Sequence, residues 1–285
     1  MKACKRALVI NISGGVGNQL FQFALARSLS MQYGYDIMLN KILYSKAMRK
    51  MRINKIQIIE APRVRYEKTN SIIGFLAMII AFLYAKILKT KIFSYHNKCI
   101  AIESNIGRSF IPVDIHNSNR VYINGYFQSE KYFHGASDII IKEILFYLRS
   151  MSDSEYISSI KIKDNFICLH VRGGDFKNND EYDICSERYY RKSIDFISRI
   201  VRDPVFYVFS DDVAYAKSLL SFNNNLIYIE NGSEIDQLYY MTMFSKFIIS
   251  NSSFSWWAQY LSDSKKRIVV APAHWNSREN NRDIY

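Results

Sequence analysis

The chain has 285 residues, enough for one large domain or two of ordinary size, and we favour two. Hydrophobic residues make up 49% and aromatic residues 15%, with only 4 Pro and 11 Gly, so the composition excludes a disordered or low-complexity protein. The formal net charge of +12 favours an anionic partner, which is a nucleic acid, a phosphorylated small molecule or an acidic membrane surface.

The four cysteines lie far apart, at positions 4, 99, 168 and 185, and no His/Cys group has the spacing of zinc ligands. This pattern favours a reducing compartment. The basic N-terminus is followed by a brief apolar segment that runs into a glycine turn, which is not typical of a secretory signal. We therefore expect a cytoplasmic protein.

The N-terminal segment predicts a strand, a glycine loop and a helix, in that order. Residues 7–12 form an apolar run of strand length, three glycines follow within residues 13–18, and apolar residues then recur at helical spacing as far as Leu29. Gly34 is expected to end the helix before a second strand at residues 37–39. The loop matches neither a dinucleotide fingerprint nor a P-loop, so alone it is weak evidence for a ligand.

An apolar run without charges occupies Ile72–Ala85 and is flanked by Lys68, Lys86, Lys89 and Lys91. It is shorter than the roughly 20 residues that a membrane-spanning helix needs. Two interpretations remain open: a helix buried in the core, or a helix in a membrane interface with its lysines at anionic headgroups. The second would place the protein peripherally at the inner face of a membrane.

Tyr122–Phe133 is rich in groups that stack on sugars or bind hydroxyls, although an aromatic strand end and turn would have the same composition. Residues 139–148 show helical periodicity, and the polar stretch 150–163 is our candidate for the link between domains. We accordingly place one domain at residues 1–155 and a second at residues 156–285.

A short apolar strand at residues 166–171 stops at His170, Arg172, a Gly-Gly pair and Asp175. In open α/β sheets, ligands bind at the carboxyl ends of the strands. The guanidinium of Arg172 offers a planar fork of donors that suits phosphate, and the glycines let a backbone approach a ligand. A strand ending in a glycine turn with solvated charges is the alternative.

Strands and helices alternate regularly through the rest of the chain, which predicts parallel sheets in a doubly wound α/β architecture. Strands are predicted at residues 205–209, 226–229, 247–249 and 267–271, and helices at 189–200, 213–220, 234–244 and 256–261. The hydroxyl-rich turn at 250–255 would present free backbone N–H groups to an anion, or would simply cap the following helix.

Five polar or glycine-rich blocks occur along almost the whole chain, at Gly14–Gln22, Gly125–Gln128, His170–Asp175, Phe209–Asp212 and Ser250–Trp257. Taken together and in this order, they resemble those of the α-1,2-fucosyltransferases of glycosyltransferase family 11. The resemblance implies a GT-B fold with two Rossmann-like domains facing a cleft, the N-terminal one on the acceptor side and the C-terminal one binding a GDP-sugar. It also implies GDP-β-L-fucose as donor, inversion at the anomeric carbon, and neither a cofactor nor a catalytic metal.

The resemblance also implies particular site residues. His170 and Arg172 match a His-x-Arg-Arg block whose first Arg holds the donor diphosphate, and Asp211 or Asp212 matches a guanosine contact. The implied catalytic residues are Arg172, Asp175 and His170. The implied donor-binding residues are His170, Arg172, Asp211, Asp212, Ser252, Ser253, Phe254, Ser255, Gly15, Asn18 and Gln19.

Gly173 departs from the family pattern, which usually has a second Arg at this position. One positive group near the donor is therefore missing. Either another Lys or Arg replaces it, or the donor pocket differs.

Cleavage of the bond between sugar and GDP builds negative charge on the diphosphate, so a fixed cation and aligned N–H donors help most in the transition state. No Asp-x-Asp triplet of the kind that holds a metal occurs in the sequence, and we expect transfer without a metal. Asp175 is our first candidate for the general base, ahead of Asp180 and Glu181, unless it instead orients Arg172.

The expected acceptor is the 2-hydroxyl of a galactose-terminated oligosaccharide or of a lipid-linked glycan in a surface polysaccharide. Another 6-deoxy GDP-sugar or another linkage is the alternative. Nucleic acid is not an expected partner, because the basic residues are scattered and no RRM, KH or helix-turn-helix signature occurs. A nonenzymatic protein bound to an anionic membrane surface would leave the five polar blocks without a use.

Overall fold

The computed structural model describes residues 6–40, 65–67, 92–95, 98–102, 110, 112–113, 115, 119–153, 155, 161–174 and 184–276. Ile72–Ala85, Asp175, Asp180 and Glu181 lie outside the described residues. The chain divides into two compact units between Ile144 and Leu145, and each unit is considered by itself. The domain boundary after residue 155 stays a prediction.

The first unit contains a six-stranded sheet in the order β3-β2-β1-β6-β5-β4, in which all neighbours are parallel except β4 and β5. Its strands are β1 (Ala7–Asn11), β2 (Asp36–Asn40), β3 (Arg65–Glu67), β4 (Ile92–Tyr95), β5 (Lys98–Ile102) and β6 (Arg120–Asn124). All five residues of β1 are buried, as is typical of a central strand in a parallel sheet.

Helix α1 (Val16–Tyr33) connects β1 to β2. It ends at Gly34, as predicted, and the φ angle of 70° at this residue lies in the left-handed region that glycine adopts without strain. The N–H group of Gly34 donates to the carbonyl oxygen of Ser30 and satisfies one of the free carbonyls of the last turn.

A buried ion pair joins α1 to helix α2 (Ser137–Met151). The Arg27 guanidinium donates to both carboxylate oxygens of Glu143 over 2.8–3.0 Å, and the two side chains are 1% and 0% exposed. Two short 3₁₀ turns, Glu130–Tyr132 and His134–Ala136, lead into α2. Since removal of one partner would leave a buried charge, the pair fixes the middle of α2 on α1.

The second unit contains a five-stranded sheet in the order β11-β10-β7-β8-β9, with every neighbouring pair parallel. Its strands are β7 (Phe166–Val171), β8 (Val205–Ser210), β9 (Leu226–Tyr228), β10 (Lys246–Ile248) and β11 (Ile268–Val270), and its helices are α3 (Glu187–Ile200), α4 (Val213–Leu219), α5 (Glu234–Thr242) and α6 (Ser253–Tyr260). The predicted parallel α/β architecture is therefore confirmed.

Because the five strands are parallel, their carboxyl ends meet at one edge of the sheet and their amino ends at the other. Helix α3 connects β7 to the parallel strand β8, so it begins near the carboxyl edge and ends near the amino edge. Its buried residues Tyr190, Ile194 and Ile197 pack in a core with apolar side chains of β7 and β8.

Helix α6 begins three residues earlier than its predicted start at Trp256. Ser252 is the N-cap residue, with its hydroxyl oxygen accepting the N–H of Phe254. Serine is favoured there because it satisfies an N–H group of the first turn. Within the part of the chain that the structure describes, no helix is both long enough and apolar enough to cross a membrane.

Candidate active site

His170 lies at the carboxyl end of β7 and connects this strand to the turn that follows β10. Its Nδ1 atom is 2.8 Å from the Ser250 hydroxyl oxygen, and its ring centroid is 5.7 Å from that of Phe254. The Tyr190 hydroxyl donates to the His170 carbonyl oxygen over 3.0 Å. Two of the predicted donor-binding blocks, around His170 and around Ser252, are thus in contact.

The imidazole of His170 is held in its neutral form. Burial and, as a smaller cause, the positive charge of Arg172 together lower the pKa of His170 to about 3. His170 therefore acts as a neutral hydrogen-bonding group near pH 7, and the positive charge of this block resides on Arg172.

Lowering the pH from about 6.5 to about 3 is expected to destabilise the protein through His170. The imidazole has a pKa of about 3 when folded and of roughly 6.5 when unfolded. In this window the unfolded state binds one more proton, so the free energy of unfolding falls by about 1.4 kcal/mol per pH unit. Above pH 6.5 the residue is neutral in both states and adds no slope.

Urea denaturation of the wild type and of His170→Asn across this pH range measures the effect. The Asn variant keeps a polar group near the position of Nδ1 but does not titrate. It should show a shallower loss of stability with acid, and an equal slope in the two proteins would contradict the neutral, buried state of His170.

Arg172 follows β7 directly and is paired with Asp211, which follows the neighbouring strand β8. Its Nη1 atom lies 2.7 Å from Asp211 Oδ2, and the two side chains are 10% and 28% exposed. The N–H group of Gly173 donates to the other oxygen, Asp211 Oδ1, over 2.8 Å. A guanidinium and a backbone N–H thus bind one carboxylate side by side, which is also the arrangement that binds a phosphate.

This pairing gives Asp211 a position that the sequence did not predict. Asp211 was considered as a guanosine contact, and the orientation of Arg172 was assigned as an alternative role to Asp175. In the structure Asp211 orients Arg172, while Asp175 lies outside the described residues. The predicted contact of Asp211 with guanosine stays a prediction.

Asp212 caps helix α4. Its Oδ1 atom accepts the N–H of Tyr215 over 3.0 Å, and its own N–H donates to the Ser210 hydroxyl. The adjacent aspartates therefore have separate partners, Arg172 for one and a helix N-terminus for the other. Among the residues that the structure describes, no group of three His, Cys, Asp or Glu side chains is arranged to hold a metal ion.

The two glycines after Arg172 are required by the close approach of this turn to the aspartates. Gly174 has a φ angle of +43°, and a Cβ atom there would clash with the Asp211 carboxylate. A Cβ atom at Gly173 would lie 2.8 Å from Asp212 Cβ and 3.1 Å from Tyr215 Cδ1. The absence of a second Arg at position 173 therefore has a steric reason in this chain.

The hydroxyl-rich turn joins β10 to α6. The N–H group of Ser252 donates to the Ser250 carbonyl oxygen over 2.8 Å, and the buried Ser255 hydroxyl donates back to the carbonyl oxygens of Ser250 and Ser252. Ser253 and Phe254 are half-buried in the first turn of α6. Ser252 and Ser255 thus shape the turn, while Ser253 and Phe254 are more accessible.

Residues that the sequence did not single out hold this turn in place. The Asn251 side-chain amide donates to the Trp275 carbonyl oxygen over 3.0 Å and accepts from Cys185 Sγ. The Tyr189 hydroxyl donates to the carbonyl oxygen of Ile249 over 2.5 Å. The feature of the sequence that could have indicated this role is the pair Tyr189 and Tyr190 in the first turn of α3. Tyrosine hydroxyls at the start of a helix can reach the ends of nearby strands.

In the first unit, the blocks Gly14–Gln22 and Gly125–Gln128 come together at the carboxyl ends of β1 and β6. The Gln22 amide donates to Ser13 Oγ and to the Gly125 carbonyl oxygen over 3.1 and 2.8 Å. The Gln128 amide donates to Asn18 Oδ1 over 2.7 Å. These hydrogen bonds join the two blocks, which are far apart in the sequence, into one group of loops.

The predicted N-terminal loop residues have different exposures. Asn18 is half-buried, whereas Gln19 is fully buried and donates from its amide to the Gly14 carbonyl oxygen over 2.9 Å. Gly15 is the N-cap residue of α1 and is half-buried. Gln128 is 7% exposed, and its Oε1 atom has no hydrogen-bond partner among the described residues. Of the two predicted polar side chains in this loop, Asn18 is thus the more exposed, and its Oδ1 atom accepts from the Gln128 amide.

Comparison with known proteins places this fold in the GT-B class. The fucosyltransferase NodZ from Bradyrhizobium is similar in structure with a TM-score of 0.53 at 11% identity, over 89% of this chain and 92% of NodZ. A model of glycosyl transferase family 11 matches residues 7–285, and the chain belongs to that family.

Two relatives of this chain are named as transferases of a particular sugar. An alpha-1,2-colitosyltransferase from Escherichia coli is 26% identical over 282 residues, which cover 95% of this chain and 93% of that protein. A galactoside 2-alpha-L-fucosyltransferase from Caenorhabditis elegans is 26% identical over 157 residues, which cover 50% of this chain and 43% of that protein.

Proposed function

We propose that the protein transfers L-fucose from GDP-β-L-fucose, with inversion, to the 2-hydroxyl of a galactoside in a surface glycan. The observation that carries this proposal is the contact of His170, two residues before Arg172, with the Ser250–Ser255 turn at the carboxyl edge of one parallel sheet. Both parts supply donors for a diphosphate. A cytoplasmic location, next to the pool of nucleotide sugars, belongs to the same proposal.

The chemistry of the leaving group fits these donors. As the bond between the sugar and GDP breaks, negative charge grows on the diphosphate oxygens and positive charge grows on the sugar ring. The guanidinium of Arg172 and the N–H groups at the start of α6 stabilise the first of these charges. A neutral His170 adds no cation near the sugar, where positive charge develops.

The attacking hydroxyl must lose its proton, and Asp175 remains the proposed base, ahead of Asp180 and Glu181. Asp211 and Asp212 are less suited to this role, because one is paired with Arg172 and the other caps α4. The acceptor is proposed to bind on the first unit near Tyr126, which is half-buried and follows the carboxyl end of β6.

Transfer of another deoxy sugar is the second candidate function, and the name of the Escherichia coli relative favours it. That protein is a colitosyltransferase and matches 95% of this chain. The family membership and the donor residues described above fit either sugar, because they concern the nucleotide diphosphate rather than the transferred ring.

A donor screen tests the proposed function. The purified protein is incubated with GDP-fucose, GDP-colitose or GDP-mannose and a galactose-terminated oligosaccharide, and products are identified by mass spectrometry and their linkage by NMR. We expect a fucosylated product with an α-1,2 linkage. Transfer from GDP-colitose alone would support the second candidate, and no transfer to any galactoside would contradict the proposed acceptor.

Chelation of divalent metals is expected to leave the transfer rate largely unchanged. The reason is that Arg172 and the α6 N-terminus are proposed to bind the diphosphate directly, and that the sequence has no Asp-x-Asp triplet. Initial rates are measured with excess EDTA and again after addition of Mn²⁺ or Mg²⁺. Loss of activity with EDTA and its return with either metal would show that the proposed diphosphate site is wrong.

A further inference from the structure

The charges of the second unit are distributed unequally between the two edges of its sheet. Among the described residues that follow the strands, at 172–174, 211–212, 229–233, 249–252 and 271–276, Arg172 is the one Lys or Arg and stands against three acidic residues. The basic residues of this unit are therefore not concentrated around the candidate donor site.

The amino edge of the same sheet is strongly basic. The described segments that precede β7, β8 and β11, together with Lys246 at the start of β10, carry seven Lys or Arg residues against three Asp residues. The basic residues are Lys161, Lys163, Arg202, Lys246, Lys265, Lys266 and Arg267, and the acidic residues are Asp164, Asp203 and Asp263. Within the described residues, this is an excess of cations on one side of the unit.

These segments form one continuous surface. The Lys246 ammonium donates to the Asp164 carbonyl oxygen over 2.6 Å, and the Asn165 amide donates to the Asp203 carbonyl oxygen over 2.7 Å. The N–H group of Ile268 donates to the Ser245 carbonyl oxygen, which places Lys265–Arg267 beside the start of β10. The cations on four separate segments are thus neighbours in space.

The end of α3 adds apolar side chains to this basic edge. Phe196 is 50% exposed and Ile200 is 51% exposed, and their spacing of four residues puts them on one face of the helix. Arg199 is exposed between them, and Arg202 follows the helix end. Exposed phenyl and branched aliphatic groups among cations are typical of surfaces that insert into a lipid headgroup region.

We propose that this surface, formed by Phe196, Arg199, Ile200 and the basic residues of the sheet's amino edge, binds the anionic headgroups of a phospholipid membrane. The cations attract the headgroups, and Phe196 and Ile200 enter the boundary of the acyl chains. A membrane rather than a nucleic acid is the partner because an aliphatic group such as Ile200 cannot stack on a base, whereas it inserts readily into lipid.

A consequence for catalysis rests on the proposed function. With the amino edge on the membrane, the carboxyl edge that carries Arg172 faces away from the lipid. A glycan acceptor attached to a lipid would then reach the site with its sugar end. The basic edge would thereby raise the local concentration of a lipid-linked acceptor without contacting it.

Vesicle sedimentation with a matched pair of variants tests the surface. The edge variant is Phe196→Ser/Arg199→Glu/Arg202→Glu. The control variant is Lys142→Glu/Phe146→Ser/Arg149→Glu on α2, which makes the same change in charge and removes a Phe that is 48% exposed. The control site lies elsewhere, because the N–H group of Asp153 after α2 donates to Asp236 in the first turn of α5, near the carboxyl edge.

The wild type is expected to sediment with vesicles of phosphatidylcholine and phosphatidylglycerol, more weakly at high salt, and not with phosphatidylcholine alone. The edge variant should lower the partition coefficient roughly tenfold or more, since each basic residue near an anionic surface contributes substantially. The control variant should bind within about twofold of the wild type. Circular dichroism checks that both variants fold.

Several outcomes would overturn the proposal. They are equal losses in the edge and control variants, equal binding to neutral vesicles, and binding to RNA or DNA with no binding to vesicles. A third variant in the same sedimentation experiment is Lys86→Glu/Lys89→Glu/Lys91→Glu. If this variant alone loses binding and the edge variant keeps it, the membrane contact belongs to that lysine segment and not to the amino edge.

The membrane-binding surface and the proposed transferase function are tested independently of each other. Transfer to a soluble galactoside by the edge variant should equal that of the wild type, because none of its three residues belongs to the donor site. If the wild type binds vesicles but transfers no sugar, the proposed function fails and the surface stands. If it transfers sugar but ignores anionic vesicles, the surface proposal fails alone.

Discussion

Arg172→Lys is expected to lower the turnover rate on the order of a hundredfold or more, while GDP binding weakens less. Lysine keeps the positive charge but loses the planar fork that can hold two oxygens at once. If the contact strengthens as charge develops on the leaving diphosphate, the loss falls mainly on kcat rather than on ground-state affinity. Steady-state kinetics and calorimetric titration with GDP measure the two quantities separately.

The structure makes Arg172→Ala a more severe change than the loss of one contact. Asp211 Oδ2 lies 2.7 Å from Arg172 Nη1, so removal of the guanidinium leaves a carboxylate without its cation near the proposed diphosphate. With Gly at position 173, no neighbouring Arg of the same block can replace it. Arg172→Ala therefore removes a hydrogen-bond donor of the diphosphate and also leaves the Asp211 carboxylate to repel it.

The double variant Arg172→Ala/Asp211→Asn separates these two effects. Asparagine at position 211 can still accept the N–H of Gly173 but carries no charge. If Arg172 binds the diphosphate, the double variant stays nearly inactive. Compared with Arg172→Ala, it regains only the activity that was lost through repulsion by Asp211. Near-normal turnover by a folded Arg172→Ala protein would remove this residue from the mechanism and with it the main support for the donor site.

The pairing of Arg172 with Asp211 also shows what the sequence could and could not predict. The apolar runs and the turns between them predicted the strands, and the end of each strand predicted where polar groups would gather. That Val171 pairs with Ser210 in neighbouring strands depends on the strand order β7-β8, which is a tertiary property. Without that order, Asp211 could be assigned to a ligand but not to Arg172.

Local chemistry gave more reliable predictions than long-range pairing. Gly34 ends α1 because a left-handed residue is needed there, and this follows from the residue type alone. The buried pair of Arg27 and Glu143 could not be predicted, because both residues are of types that usually lie on helix surfaces. The start of α6 was predicted three residues late, because the turn at 250–255 was interpreted as a whole, as an anion site or a cap, and Ser252 was not singled out as the cap residue.

Gly173→Arg is expected to reduce activity about tenfold or more, although it introduces the residue that the family usually has at this position. A Cβ atom at position 173 would lie 2.8 Å from Asp212 Cβ and 3.1 Å from Tyr215 Cδ1, so the turn or the cap of α4 must move. Overpacking of this kind costs roughly 1–3 kcal/mol of stability. Because Gly173 also donates its N–H to Asp211, the movement would displace the partner of Arg172.

A double-mutant cycle distinguishes this steric explanation from an effect of the added charge. Asp212→Gly removes the Cβ atom that Gly173→Arg would contact, at a cost of a few tenths of a kcal/mol for the changed cap. The double variant Gly173→Arg/Asp212→Gly should be more stable and more active than the sum of the single changes predicts. Thermal unfolding and initial transfer rates are measured for all four proteins. Higher activity in Gly173→Arg alone would show that the turn accommodates a second cation, and the steric reason for the glycine would then be wrong.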